Sequence, residues 1–316
     1  MTQVCLFTEP HRGASYLDQL AIARRAEECG FDGFFRADHY QTVDEDAGLP
    51  GPTDSWLTLA ALARETSRIR LGTLVTCVTF RQPGPLAVAV AQVDEMSGGR
   101  VELGIGAGWY EREHRSYGVP FPPIRERFDL LAEQLAIVTG LWRTPIGQRF
   151  SFTGQHYRLI DSPALPKPVQ RPGPPIIVGG RGARRTPVLA ARYADEFNVP
   201  FKSVPETGRL FDRAGQACER YGRTAAPLGL SASVVVACGR TQAEAVRRAE
   251  PLHATSALPP DHPVIGTPAR VVDELGRFAK LGVRRIYLRL PSPGPGQLLE
   301  FEHLDLVAAE VLPQLR

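Results

Sequence analysis

Lysine is scarce in this 316-residue chain: Lys167, Lys202 and Lys280 are the only ones, so nearly all of its 37 basic residues are arginine, with fixed charge and two-pronged geometry. Long apolar runs are missing as well. No window reaches about 18 uninterrupted apolar residues, which argues against a membrane-spanning helix. The opening MTQVCLFTEP has no basic segment followed by a long apolar one, so a cytoplasmic location is expected. Cysteine is limited to positions 5, 29, 77, 218 and 238, an odd number with no CxxC spacing, which suits reduced thiols better than a disulfide framework or a zinc site. A net charge of only +3, with bases dispersed among acids, speaks against nucleic acid as the main partner. No HxH or HExxH pattern and no GxSxG elbow occurs, so no metal site is assigned and hydrolysis is disfavoured.

What is present is ordinary for a soluble globular chain, 43% hydrophobic and 22% charged, and long enough for one large α/β domain or two smaller ones. Short apolar runs alternate with segments of helical spacing. Strands are predicted at 3–8, 31–37, 69–78, 101–105, 176–179, 196–199, 228–237 and 284–290. Helices are predicted at 15–29, 54–67, 83–96, 124–142, 182–194, 205–222, 241–249, 267–281 and 298–315. Eight strands, each followed by a helix, point to an α/β fold closed as a (β/α)8 TIM barrel, with an open doubly wound sheet as the alternative. The proline-rich segment 143–175 is too long for a plain connector and is expected to be an ordered insertion between helix 4 and strand 5, with a lid as one role.

In such a barrel the chemistry gathers just after each strand. Those positions hold Glu9 and His11, Asp38 and His39, Thr76 to Arg81, Gly106 to Arg112, Gly179 to Arg181, Asn198 and Arg289. His39 suits an acid, a base or a hydrogen-bond donor near neutral pH; a surface histidine beside a helix-capping Asp38 is the plainer alternative. His253, His262 and His303 are read as structural or incidental. The run GRVELGIGAGWYEREHRSYGVPF at 99–121 is a strand breaking into small residues that leave room for a flat ring or a phosphate. IIVGGRGARR at 176–185 combines glycines, arginines and a helix start, the makeup of an anion site, although a simple glycine turn has the same pattern.

Taken as an ordered set, RADHY at 36–40, DSWLTLAALARETSRIRLGTLV at 54–75, DEMSGGRVELGIGAGWYEREHRSYGVPF at 94–121, ERFDLLAEQLAIVTGLW at 126–142, PKPVQRPGPPIIVGGRGARR at 166–185 and IGTPARVVDEL at 265–275 make the chain resemble the bacterial luciferase-like family, in its coenzyme F420-dependent branch. The resemblance implies a single TIM-barrel domain over 1–316, with the deazaflavin ring in the barrel mouth and 143–175 near the substrate opening. It implies a non-proline cis peptide at Leu74–Val75 that forms a bulge behind the ring. By position Asp38 and His39 match the acid and the histidine near the reactive carbon; Leu74, Val75, Thr76, Gly106, Ala107, Gly108 and Trp109 match the cofactor wall; Gly179, Gly180 and Arg181 fall in the phosphate loop. Sugar-phosphate dehydrogenases of this branch carry a glutamate where this chain has Trp109, which argues against glucose 6-phosphate and for a flatter or more apolar substrate.

The function expected from the residues and the resemblance is hydride transfer between F420 and a small organic substrate, with His39 giving or taking the proton. Alternatives are an FMN-dependent monooxygenase using molecular oxygen, a non-catalytic flavin- or deazaflavin-binding protein, and a nicotinamide-binding doubly wound protein. A homodimer is plausible from the family.

Overall fold

The computed structural model describes residues 2–43, 49, 51–223, 226–254, 262–292 and 298–316; the side chains of His253 and Ala254 also fall outside it. The sequence expectation for the His253 side chain therefore lies outside the described residues.

Eight strands pair in parallel around a closed ring: Gln3–Thr8, Gly33–Arg36, Arg70–Thr73, Val101–Gly106, Ile176–Gly179, Glu196–Pro200, Gly229–Cys238 and Arg285–Arg289. The ring closes where the first strand pairs with the eighth, Gln3 opposite Arg285 and Leu6 opposite Leu288. A (β/α)8 barrel is thus the fold, and the open doubly wound alternative is excluded.

Alternation along the strands sorts the core into two layers. Val4, Leu6, Phe34, Leu71, Val101 and Leu103 face outward into the main core beneath the helices. Cys5, Phe7, Phe35, Ile177 and Tyr287 point inward and fill the barrel lumen. Burying each such large side chain contributes on the order of 1.5–3 kcal/mol, so the barrel wall is stabilised from both faces.

The helix boundaries follow from local chemistry. Ser15 accepts the Asp18 N–H at 3.2 Å while Asp18 accepts the Ser15 N–H at 2.8 Å, a reciprocal cap that starts helix Tyr16–Glu28. Asp54 receives the N–H groups of Trp56 and Leu57 and starts helix Ser55–Glu65. Arg100 binds the end of that helix from outside, donating to the carbonyls of Ala63, Thr66 and Ile69.

Three features depart from the sequence expectations. The third strand, expected to be continuous over 69–78, is broken into Arg70–Thr73 and Thr76–Cys77; the cis peptide Leu74–Val75 between them is the one the resemblance implied. A short helix, Glu111–Ser116, follows the fourth strand, where no helix was predicted. The 143–175 segment holds an antiparallel hairpin, Phe150–Thr153 with Arg158–Ser162, and cis bonds before Pro166 and Pro172. It packs along helix Ile124–Arg143, whose Glu133 accepts the N–H groups of Gln155 and Tyr157. It then runs beneath the barrel, where Gln170 binds Asp94, Val101 and Arg70. No residue of 143–175 lines the mouth, so the lid expected there is instead a brace along the side and base.

No helix among the described residues is long and apolar enough to cross a membrane.

Candidate active site

The strand ends converge on a cavity of about 560 Å³ in the barrel mouth. Of the expected site residues, Asp38, His39, Leu74, Val75, Gly106, Ala107, Gly108, Trp109, Gly179, Gly180 and Arg181 all line it. Thr76 does not. It is fully buried, and its hydroxyl receives the Trp56 indole N–H at 3.1 Å, because the break in the third strand turns this side chain toward the helix behind the barrel.

Val75 forms the floor. A Cβ placed on Gly106 or Gly179 would lie 2.8 Å from a Val75 methyl, so the strands on that side must be bare for Val75 to stand between them. Next to this floor the loop Gly179–Gly182 runs into helix Arg185–Tyr193, with the Thr186 side chain over it. The Gly180 N–H is used by the Asn198 carbonyl at 3.1 Å, and Arg181 donates from Nε to the Pro200 carbonyl at 3.1 Å, which holds its guanidinium at the cavity lip. The chemistry of this wall, bare backbone, a helix start and an arginine, fits a flat ring whose tail carries negative charge.

Across the cavity stand two imidazoles, His11 and His39, in an edge-on contact with centroids 4.9 Å apart. His39 is also edge-on to Trp109 at 5.6 Å, and Trp109 stacks on Tyr110. His39 Nδ1 lies 2.9 Å from Glu113 Oε1, and the other Glu113 oxygen accepts the Tyr40 N–H at 2.8 Å. Burial disfavours charge on His39, but the Glu113 hydrogen bond and the charges of Glu113, Glu9 and Asp38 outweigh it and carry His39 above the ordinary imidazole range. Among the described residues, none sets such a carboxylate against the His11 ring. Burial, reinforced by the charge of His39, keeps it well below that range, and its buried Nδ1 has no hydrogen-bond partner among the described residues.

The remaining charges are held in pairs. Asp38, almost fully buried, is bound by Arg81, which also reaches Asp54 at 2.6 Å. Glu9 accepts from Arg12 at 2.9 Å and from Arg289 at 2.8 Å. Against burial, which alone would raise it, those guanidinium groups pull Glu9 down to about 2.

Two of these residues went without a role in the sequence. His11 was visible as a strand-end position, and only the ring contact with His39 marks it out. Glu113 sits in the short helix, whose His114 fixes it in place: Nδ1 lies 2.7 Å from the Tyr110 carbonyl and Nε2 2.6 Å from the Thr79 hydroxyl. The strand-end rule stops short of position 113, and no spacing signal links it to His39. Among the described residues, no group of three His, Cys, Asp or Glu side chains is arranged to hold a metal ion.

Residues 1–263 match the family model described as luciferase-like monooxygenase. The chain belongs to the luciferase-like family. Within it, the chain is 33% identical over 232 residues to the F420-dependent hydroxymycolic acid dehydrogenase of Mycobacterium tuberculosis, covering 72% of this chain and 60% of that protein. It is 30% identical over 319 residues to the F420-dependent glucose-6-phosphate dehydrogenase of Microbacterium testaceum, covering 92% and 91%. Among solved structures, an F420-dependent secondary alcohol dehydrogenase in complex with an F420–acetone adduct superposes with a TM-score of 0.85 at 19% identity, covering 100% and 99% of the two chains. A monooxygenase from Streptomyces bottropensis superposes at 0.80 and 21% identity over both full chains.

Proposed function

We propose that this protein is an F420-dependent oxidoreductase that moves a hydride between the deazaflavin and a small organic substrate. The observation that carries this is the pairing, in one cavity, of a bare floor at Val75, Gly106 and Gly179 with the imidazole of His39. The names of the sequence relatives support the choice of cofactor.

Bound F420 supplies a ring carbon that accepts or gives a hydride. Val75 and the glycines on either side of it would hold the ring, and Arg181 with the Gly179–Gly182 loop would hold the anionic tail. His39 would take the proton that the substrate releases on oxidation and return it on reduction, one proton for each hydride exchanged. Trp109, half-exposed at the rim, covers the substrate side with an aromatic face. Phe7, Val43 and Phe201 add apolar wall, which favours an uncharged or weakly polar substrate over a sugar phosphate.

Titration of the purified protein with F420 and, separately, with FMN, followed by ring absorbance, tests the assignment. Saturable F420 binding with weak or no FMN binding is expected. Tight FMN binding without F420 binding overturns it in favour of an FMN-dependent monooxygenase.

A further inference from the structure

We propose that Glu113 is the positioning residue of the site: its carboxylate fixes the lone imidazole proton of neutral His39 on Nδ1 and so presents Nε2 to the substrate side as the atom that gives and takes protons. The consequence for turnover rests on the function proposed above; the placement of the proton does not.

The geometry has three parts. The Nδ1 to Oε1 distance of 2.9 Å is that of a full hydrogen bond, and an ionised carboxylate can only accept, so Nδ1 must donate. Glu113 cannot drift, because its second oxygen holds the Tyr40 N–H and its side chain is 1% exposed. The nitrogen left over is Nε2, across a ring that lines the cavity. In the neutral form Nε2 then carries a lone pair and is a base; in the charged form it carries a proton and is an acid. One atom serves both directions of the reaction, because the other is held by Glu113.

His11 shows what the carboxylate does. The two rings touch each other and line one cavity, and both feel Glu9; His11 also feels Arg12 and Arg289, while His39 feels Asp38, which Arg81 binds, and meets Trp109 and Tyr110 edge-on. Of the two rings, only His39 has a carboxylate of the described residues against its nitrogen. It is pushed toward the charged state, and His11 toward the neutral one.

Long-range ¹H–¹⁵N NMR of the histidine rings in the cofactor-free protein, followed across pH, reads both the tautomer and the protonation midpoint. In the native protein neutral His39 is expected with its proton on Nδ1, while His11 stays neutral throughout. In Glu113→Gln the amide N–H donates to His39 Nδ1, so the neutral form moves its proton to Nε2, and the midpoint falls by about one pH unit, a tenfold weaker hold on the proton. Glu113→Asp keeps the charge but draws it back by one methylene, and its midpoint is expected between the two. An unchanged Nδ1–H tautomer and equal midpoints in the folded variants overturn the proposal. Because no cofactor is present, failure of F420 binding leaves this result standing, and failure here leaves F420 binding untouched.

Discussion

The eighth strand carries an arginine at each end, Arg285 at the base of the barrel and Arg289 at the mouth, and the two ends use them differently. At the base, Arg285 reaches Glu102 at 2.6 Å and Glu196 at 3.1 Å, Arg70 binds Glu102 from the other side, and the Tyr287 hydroxyl donates to Glu196 at 2.7 Å. This cluster is packed shut by the Gln170 side chain below it and the lumen aromatics above. Burial would raise Glu102, but Arg285 and Arg70 hold it below the usual carboxylate range, whereas burial leaves Glu196 above it. At the mouth, Arg289 and Arg12 hold Glu9, Arg81 holds Asp38, and Glu113 holds His39, all around open space. The same residue types close one end and furnish the other; the difference lies in whether a ring nitrogen is left facing a void.

The sharpest way to break this contrast is Arg285→Met. It removes the cation that Glu102 and Glu196 share, leaving Glu102 to Arg70 and Glu196 to the Tyr287 hydroxyl, and is expected to cost about 3–5 kcal/mol of stability by chemical denaturation, while F420 affinity of the folded fraction stays within about twofold. A large loss of affinity instead would mean that the ends are not separable. His39→Ala is the converse. Turnover is expected to fall roughly 10²- to 10⁴-fold with F420 binding retained, and unchanged turnover in a steady-state assay removes the role given to this residue.

Acid offers a third handle, at the mouth. Glu9 is pulled to about 2 from an ordinary value near 4.5, so its ionised form stabilises the fold above the higher figure, and that stability is lost as pH falls from 4.5 toward 2. The loss amounts to roughly 3 kcal/mol at most, and Glu9→Gln is expected to flatten this part of the stability-versus-pH curve measured by denaturation. The smallest expected effect is at the lip. Arg181→Ala is expected to raise the F420 dissociation constant roughly five- to tenfold in a fluorescence titration, with the melting temperature unchanged.

Much of the mouth was legible because strand ends, glycines and a histidine leave local marks. Gly106, Gly179 and His39 each follow an apolar run, and the fold rule alone assigns such positions to the cavity. The short strands 176–179 and 196–199 were also found, since glycine and aspartate bracket them. Glu113 and the base cluster left no such mark. Glu113 reads as one more acid on a polar helix of six residues, and its partner is 74 positions away. Glu102, Glu196 and Arg285 begin three different strands, and only the closed ring brings them together. Thr76 was read as a cavity residue from its place near the strand end, and that place carries no sign that its hydroxyl turns back to the Trp56 indole.

That ring closure also sets an order of events in synthesis. Arg285 meets Gln3 across 282 positions, and Glu9 has to wait for Arg289. While the eighth strand is still inside the ribosome, the first strand has an unpaired edge, and the mouth lacks one of the cations that neutralise Glu9. Contacts of such sequence separation slow folding and leave the nascent barrel exposed to association with other chains until the last strand arrives.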